Sequence, residues 1–224
     1  MPSPNPYLLR SLGNLARGLS ALFWGLPLWL IVSVETAKVD LLRPLGILPT
    51  LILNFLLLFG LWQMTGFQKQ ERPWRQALDR AMLPGLVNLG LSPFLYCFSR
   101  LPNQPFFQWS VLILALSALI FVFNLNGVLK QLGAMLPDET LRHETRQFTA
   151  INRWLLFIFI AFAAFAYAGP EILNGQLPAR FLFWLEHVEV TILLFLGLAP
   201  LAITMALLWK TKEVILDSVF GARG

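Results

Sequence analysis

The fold depends on the stretch Leu83–Phe98, LPGLVNLGLSPFLYCF, because it determines whether the chain has five or six membrane-spanning helices. A helix needs roughly 20 apolar residues to cross about 30 Å of hydrocarbon, and this stretch is shorter. It also contains Pro84 and Pro93, and Arg80 and Arg100 flank it. Hydrophobicity alone therefore leaves this span undecided, and a second criterion is needed.

Five other apolar stretches predict spans on their length and hydrophobicity. They are residues 19–36, 46–66, 107–128, 153–169 and 189–209. The composition agrees, since 57% of the residues are hydrophobic, only 13% are charged and the mean hydropathy is +0.65. A soluble domain usually carries about 25% charged residues. We therefore predict one integral membrane domain over residues 1–224.

The distribution of basic residues decides the status of Leu83–Phe98. With the N-terminus inside and six spans, the inner segments hold 13 Lys and Arg residues. The outer segments hold four, namely Lys38, Arg43, Arg100 and Arg180. If 83–98 did not cross, the basic segment 130–153 would face outward, against the positive-inside rule. This bias predicts an all-α bundle of six transmembrane helices with both termini cytoplasmic, in the plasma membrane or a bacterial inner membrane.

The connecting segments on the cytoplasmic face predict amphipathic helices that lie on the membrane surface. Leu8, Leu12, Leu15 and Leu19 recur at helical spacing, Pro73 can begin a short basic helix over Trp74–Leu83, and Glu139 follows a helix-start pattern. After Glu139, the residues Leu141, Thr145, Phe148 and Leu155 define one face that leads into the fifth span. A second interpretation treats the basic segments 67–82 and 130–153 as docking surfaces for a protein partner.

The net charge of +5 does not indicate a nucleic-acid partner, because the basic residues flank predicted spans. The lipid bilayer and its anionic headgroups account for their position. The sequence predicts no cofactor and no metal site. Haem b held between helices needs two axial histidines, and the predicted topology puts His143 inside and His187 outside.

A local repeat relates the third and sixth predicted spans. Leu89–Pro93 reads LGLSP and Leu196–Pro200 reads LGLAP. The repeat predicts inverted three-helix halves, 1–100 and 101–224, which is a transporter signature when matching helices are broken. The corresponding candidate substrate site comprises Gly90, Ser92, Pro93, Gly197, Pro200 and Asn88. Chance is the alternative, since leucine, glycine, alanine and proline are common in membrane helices.

The outer end of the sixth span carries the cluster Glu186, His187 and Glu189. Ionisable residues at a membrane boundary favour a functional hypothesis, here an ion or proton site that Glu35 and Glu171 would join. The structural alternative is that these acids pair with the outer arginines and favour a helix N-terminus. Four amides within the spans, Asn54, Asn88, Asn124 and Asn126, are predicted to bridge helices by hydrogen bonds.

Two function classes follow, and neither includes a predicted catalytic residue. The first is a non-enzymatic accessory or scaffold component of a membrane complex. The second is a small transporter or channel for a cation, proton or small solute that uses the outer carboxylates and the proline-broken helices. An intramembrane hydrolase built on Ser92 and His187 is the least favoured interpretation, because nothing in the sequence brings these two residues together.

Overall fold

The computed structural model describes the backbone of residues 6–38, 44–68, 70–136, 139–172 and 179–220, and side chains within 10–37, 44–68, 70–136, 139–161 (Leu141 excepted) and 197–217. The described chain forms six helices and no strand, which confirms the predicted all-α class. The helices are α1 (Pro6–Lys38), α2 (Leu48–Met64), α3 (Arg72–Arg100), α4 (Pro105–Met135), α5 (Glu139–Ile172) and α6 (Ala179–Phe220).

Three stretches of described helix are long and apolar enough to cross a membrane, which is consistent with a membrane location. They are Arg10–Ala37 in α1, Arg72–Arg100 in α3 and Pro105–Met135 in α4. Helix α2 is apolar but shorter. The undecided stretch Leu83–Phe98 belongs to α3, and it gains the length it lacked because residues 72–82 continue the same helix.

The predicted surface helix over Trp74–Leu83 is wrong, since these residues form the N-terminal part of α3. Trp74, Leu78 and Ala81 recur at helical spacing and are buried in the hydrophobic core, whereas Arg75 and Arg80 are exposed. The surface helix predicted before the first span is wrong as well, because Leu15 and Leu19 are fully buried within the continuous helix α1. Burial of the apolar face stabilises these segments against neighbouring helices.

Besides α1, four helices extend past their predicted spans at one end of the bundle, and the ends of these four form what we call the basic end. It comprises the N-termini of α3 and α5 and the C-termini of α4 and α6, and each extension is 7 to 14 residues long. A Cβ added to Gly133 of α4 would lie 2.6 Å from the Thr145 hydroxyl of α5, so these helices cross closely. Lys210 of α6 forms an ion pair with Glu144 of α5.

The helices are arranged so that each packs against its neighbours in the chain, and α6 packs against α1. Helices α1 and α2 approach most closely at Gly18 and Gly60, where a Cβ on Gly18 would lie 2.6 Å from the Gly60 carbonyl oxygen. The core is formed mainly by leucine side chains from α1, α2 and α4 with Trp74 from α3. Helices α4, α5 and α6 also meet, and their contact contains the polar residues described next.

Candidate functional site

The two prolines inside α3 leave two carbonyl groups without a backbone N–H donor, and side chains donate hydrogen bonds to them instead. Proline has no N–H, so Pro84 cannot donate to the carbonyl oxygen of Arg80 four residues earlier. The Asn124 amide of α4 donates to that oxygen at 3.1 Å instead. Two turns earlier in α4, the Ser117 hydroxyl donates to the Pro84 carbonyl at 3.2 Å. These contacts fix α4 against the proline-containing segment of α3.

Pro93 is compensated within its own helix. The buried Ser92 hydroxyl donates to the Leu89 carbonyl at 2.9 Å, and that carbonyl is the one to which Pro93 cannot donate. Ser92 therefore has a structural role in α3. Gly90 lies in open space, with nothing near a Cβ added there.

A buried polar cluster joins α4, α5 and α6 around Thr204, four residues after Pro200. The amides of Asn126 and Asn152 donate to the Thr204 hydroxyl at 2.9 Å and 3.0 Å. The Thr204 hydroxyl in turn donates to the Pro200 carbonyl at 2.7 Å, and the Asn152 amide donates to the same carbonyl at 3.2 Å. The amide group of Asn126 also donates to the Val122 carbonyl at 2.8 Å.

Three buried oxygens beside this cluster have no hydrogen-bond partner among the described residues. They are Oδ1 of Asn126, Oδ1 of Asn152 and the hydroxyl of Thr149. Both amide groups are engaged in the cluster, so their carbonyl oxygens remain as acceptors. An unsatisfied buried polar atom costs about 1–3 kcal/mol, which makes three together unusual in a packed interface. Their position therefore indicates a place where a ligand or water binds.

These residues line a pocket of about 270 Å³ between α3, α4 and α5, which we call the basic pocket. Its three charged residues are all cations, one from each helix, namely Arg80, Lys130 and Arg153. Arg153 lies over the Phe123 ring at 5.4 Å, which holds its guanidinium in place. The remaining lining is amides, Thr149 and small or apolar groups. The described lining contains no carboxylate, so the pocket favours an anion.

A second, apolar cavity of about 410 Å³ lies between all six helices, and it adjoins the basic pocket at Leu156, which lines both. Asn88 contributes its amide to this otherwise apolar or aromatic lining, and its buried Oδ1 has no described partner. Gly197 and Pro200 line the same cavity. Three of the six predicted broken-helix residues are thus brought together, while Gly90, Ser92 and Pro93 lie outside its described lining.

The predicted ion or proton site falls mostly outside the residues whose side chains the structure describes. This applies to Glu171, Glu186, His187 and Glu189, although their backbones lie in α5 and α6. The Glu35 side chain is half-buried in α1. The site stays a prediction, as does the division into inverted halves 1–100 and 101–224.

The prediction that the four amides bridge helices is confirmed for two of them. Asn124 joins α4 to α3 and Asn126 joins α4 to α6. Asn54 instead donates to the Thr50 carbonyl of its own helix at 2.8 Å. The sequence reasoning missed Thr149, Asn152 and Thr204. For Thr149 and Asn152 the helical spacing was a usable signal, because one buried face of α5 comprises Thr145, Thr149, Asn152 and Leu156.

The comparisons with known proteins add no constraint to this geometry. A scan against protein-family models gave no match, and searches of curated proteins and of solved structures gave none either. The function must therefore be argued from the residues of this chain.

Proposed function

We propose that the chain is a six-span, non-enzymatic accessory component of a membrane complex, located in the plasma membrane or a bacterial inner membrane. The proposed orientation places both termini and the basic end in the cytoplasm. The bias of 13 inner against four outer basic residues supports that orientation. The described helices support the membrane location, because three of them are long and apolar enough to span.

The observation that carries the accessory role is the basic end. Residues 72–82 of the first basic segment and residues 130–135 and 139–153 of the second belong to helices that meet there, since α3 packs on α4 and α4 packs on α5. Arg72 and Arg75 from the first segment and Arg142 and Arg146 from the second are exposed. Exposed arginines on a rigid helical platform attract a partner surface of complementary charge. We therefore propose an acidic cytoplasmic surface of another subunit as the partner.

The apolar cavity supports the accessory role over transport. A solute pathway through the third and sixth helices needs polar groups along it, whereas this cavity is lined almost entirely by apolar side chains. Helices α3 and α6 also make no direct packing contact through their described residues. A cavity with this apolar lining suits a lipid chain better than a hydrated ion.

The accessory role is tested by native gel electrophoresis of mildly solubilised membranes from the source organism. We expect the full chain to migrate in an assembly larger than its own monomer or dimer. The quadruple variant R72E/R75E/R142E/R146E should leave that assembly while remaining folded, because all four side chains are exposed. Arg100→Glu, at the opposite end of α3, is the matched control and should leave it intact. A wild-type chain that migrates alone, or a quadruple variant that stays in the assembly, contradicts the proposal.

Transport of a cation, proton or small solute is the second candidate, favoured by one observation. The polar cluster of Asn126, Asn152 and Thr204 lies at the junction of the basic pocket and the apolar cavity, where a barrier in a pathway would lie. In proteoliposomes, a transporter should show a proton or cation flux that Glu186→Gln and Glu189→Gln abolish. A proton or cation flux equal to that of protein-free vesicles removes ion transport from this candidate.

A further inference from the structure

The basic pocket has the charge of a phosphate site. Arg80, Lys130 and Arg153 come from three different helices, so their convergence depends on the fold and not on a local run of basic sequence. Among the described residues, no ion pair joins any of the three to a carboxylate. Guanidinium and ammonium groups bind phosphate oxygens through short, charge-assisted hydrogen bonds. These features favour a ligand with a negative phosphate group.

The buried floor of the pocket requires a second chemical feature in the ligand. The Asn126 and Asn152 carboxamide oxygens accept hydrogen bonds, and the Thr149 hydroxyl accepts or donates. A phosphodiester has no proton to give such acceptors, so a phosphodiester ligand that satisfies them also carries hydrogen-bond donors. Hydroxyl groups meet this need without adding a positive charge near the three cations. The ligand therefore combines a phosphate with hydroxyl groups.

The level of the pocket in the bundle points to a lipid as the source of that phosphate. Arg80 lies three residues before the predicted third span, Lys130 lies two residues after the fourth, and Arg153 begins the fifth. In the proposed topology all three cations therefore lie near the inner boundary of the hydrocarbon, where lipid phosphates lie. This step rests on the proposed topology, but not on the proposed docking of a protein partner.

The adjoining apolar cavity provides the place for an acyl chain. It begins at Leu156, which also lines the basic pocket, and continues past Val122 and Phe159 to Leu119 and Leu198. Its volume of about 410 Å³ is within the usual range for ligand cavities. A free phosphate compound would leave this cavity empty, whereas a phospholipid fills both spaces with its two chemically different parts.

We propose that the basic pocket binds the headgroup of an anionic phospholipid that carries hydroxyl groups, of the phosphatidylglycerol class, with one acyl chain in the apolar cavity. The cations bind the phosphate, and the unpartnered oxygens of the floor accept from the glycerol hydroxyls. Zwitterionic lipids are disfavoured, because their ammonium groups would lie among the three cations. The lipid would bind between α3, α4 and α5 and stabilise their contact.

Native mass spectrometry of the full chain, freed of lipid in detergent, tests this site with single lipids as probes. We expect phosphatidylglycerol to bind at least about tenfold more tightly than phosphatidylcholine, because phosphatidylcholine lacks hydroxyl groups for the floor and places an ammonium group beside the three cations. Phosphatidic acid, which has the phosphate but no headgroup hydroxyl, should bind with intermediate affinity. Equal affinity for all three lipids overturns the proposal.

Three variants test the parts of the site. Lys130→Gln should weaken phosphatidylglycerol binding about tenfold. Thr149→Val should weaken phosphatidylglycerol and leave phosphatidic acid unchanged. Ala118→Phe, which fills the apolar cavity, should weaken both lipids. The matched control is Arg75→Gln, because Arg75 is exposed on α3 but lies outside the described pocket lining. If Arg75→Gln has the same effect as Lys130→Gln, the binding is unspecific and the proposal fails.

Two further outcomes separate this inference from its alternatives. Displacement of the lipid by millimolar inorganic phosphate or glycerol phosphate would mean that the phosphate alone is the ligand, which overturns the lipid as its source. Lys130→Gln tests lipid binding, whereas partner docking is tested by the variants at Arg72, Arg75, Arg142 and Arg146. The lipid proposal and the docking proposal can therefore fail independently of each other. Thermal unfolding of each variant in detergent shows whether it remains folded.

Discussion

The contact between α1 and α2 differs in chemistry from the contact of α4 with α5 and α6. The first is formed by small and apolar residues, with Gly18 against Gly60 and Gly25 against Leu57. The second contains Asn126, Asn152 and Thr204, which hydrogen-bond across helices and leave oxygens without partners. The first contact is complete as it stands, whereas the second lacks hydrogen-bond partners that a ligand can supply. The difference indicates that α1 and α2 form a fixed support, and that binding belongs to α3, α4 and α5.

The largest expected effect is at the apolar contact, where Gly18→Leu places a side chain against the backbone of α2. A Cβ at this position already lies 2.6 Å from the Gly60 carbonyl oxygen. Backbone cannot move aside as a flexible side chain can, so we expect a loss of about 3 kcal/mol in the free energy of unfolding. Tryptophan fluorescence during unfolding in detergent measures it.

Gly90→Ala is the matched control for that substitution. Gly90 lies in α3 with nothing within 4 Å of an added Cβ, and alanine is the better helix former. We expect stability to be unchanged or raised by up to about 1 kcal/mol. If both glycine variants lose the same stability, the close approach of α1 and α2 is not what stabilises this contact.

The polar contact should respond to Thr204→Val, which keeps the side-chain shape and removes the hydroxyl. Both asparagine amides then lose a shared acceptor, and we expect a loss of about 2 kcal/mol. Thr211→Val is the matched control in the same helix, since the buried Thr211 hydroxyl donates only to the Leu207 carbonyl at 2.7 Å. It should change stability by less than about 0.5 kcal/mol. Equal losses would mean that the cluster around Thr204 adds nothing to the interface.

A third, smaller effect concerns the carbonyl that Pro84 leaves without a donor. Asn124→Leu removes the amide that donates to the Arg80 carbonyl, and we expect a loss of about 1 kcal/mol. In the Pro84→Ala background the helix provides its own N–H to that carbonyl, so the same substitution should cost less. A double-mutant cycle without coupling between positions 84 and 124 would show that the amide does not compensate for the proline.

Much of the helical architecture is predictable from the sequence, because apolar length and charge bias act along the chain. The prediction of a helix over Leu83–Phe98 depended on charge bias, because its apolar length left it undecided. The sequence did not predict that residues 72–82 continue this helix, since a basic segment that begins at Pro73 has the pattern of a surface helix. Trp74, Leu78 and Ala81 are buried by neighbouring helices. Their burial shows that residues 72–82 belong to the bundle, but it is visible only in the folded structure.

The basic pocket was harder to predict, because it depends on how α5 is rotated about its axis. The sequence pattern predicted one face that includes Thr145, Phe148 and Leu155, but only Thr145 of these is buried, whereas Phe148 is exposed and Leu155 is half-buried. The buried face carries Thr149 and Asn152 instead. In a helix surrounded by lipid, apolar side chains are stable outside and polar ones are stable in the interior, so the pattern of a soluble helix is inverted. Applied to residues 145–156, that rule would have identified this face.

The smallest expected effect tests whether the polar contact is incomplete without a ligand. The Thr149 hydroxyl is buried and has no described partner, so Thr149→Val removes a polar atom that is unsatisfied. In lipid-free detergent we expect stability to stay within about 0.5 kcal/mol of the wild type, or to rise. With phosphatidylglycerol added, the wild type should gain more stability than the variant, since a ligand stabilises the state that binds it. The melting temperature of the wild type should therefore rise relative to that of the variant when the lipid is added. A difference between the two melting temperatures that is the same with and without phosphatidylglycerol would mean that the unpartnered oxygens of α4 and α5 are a packing imperfection, and that this contact is as complete as the one between α1 and α2.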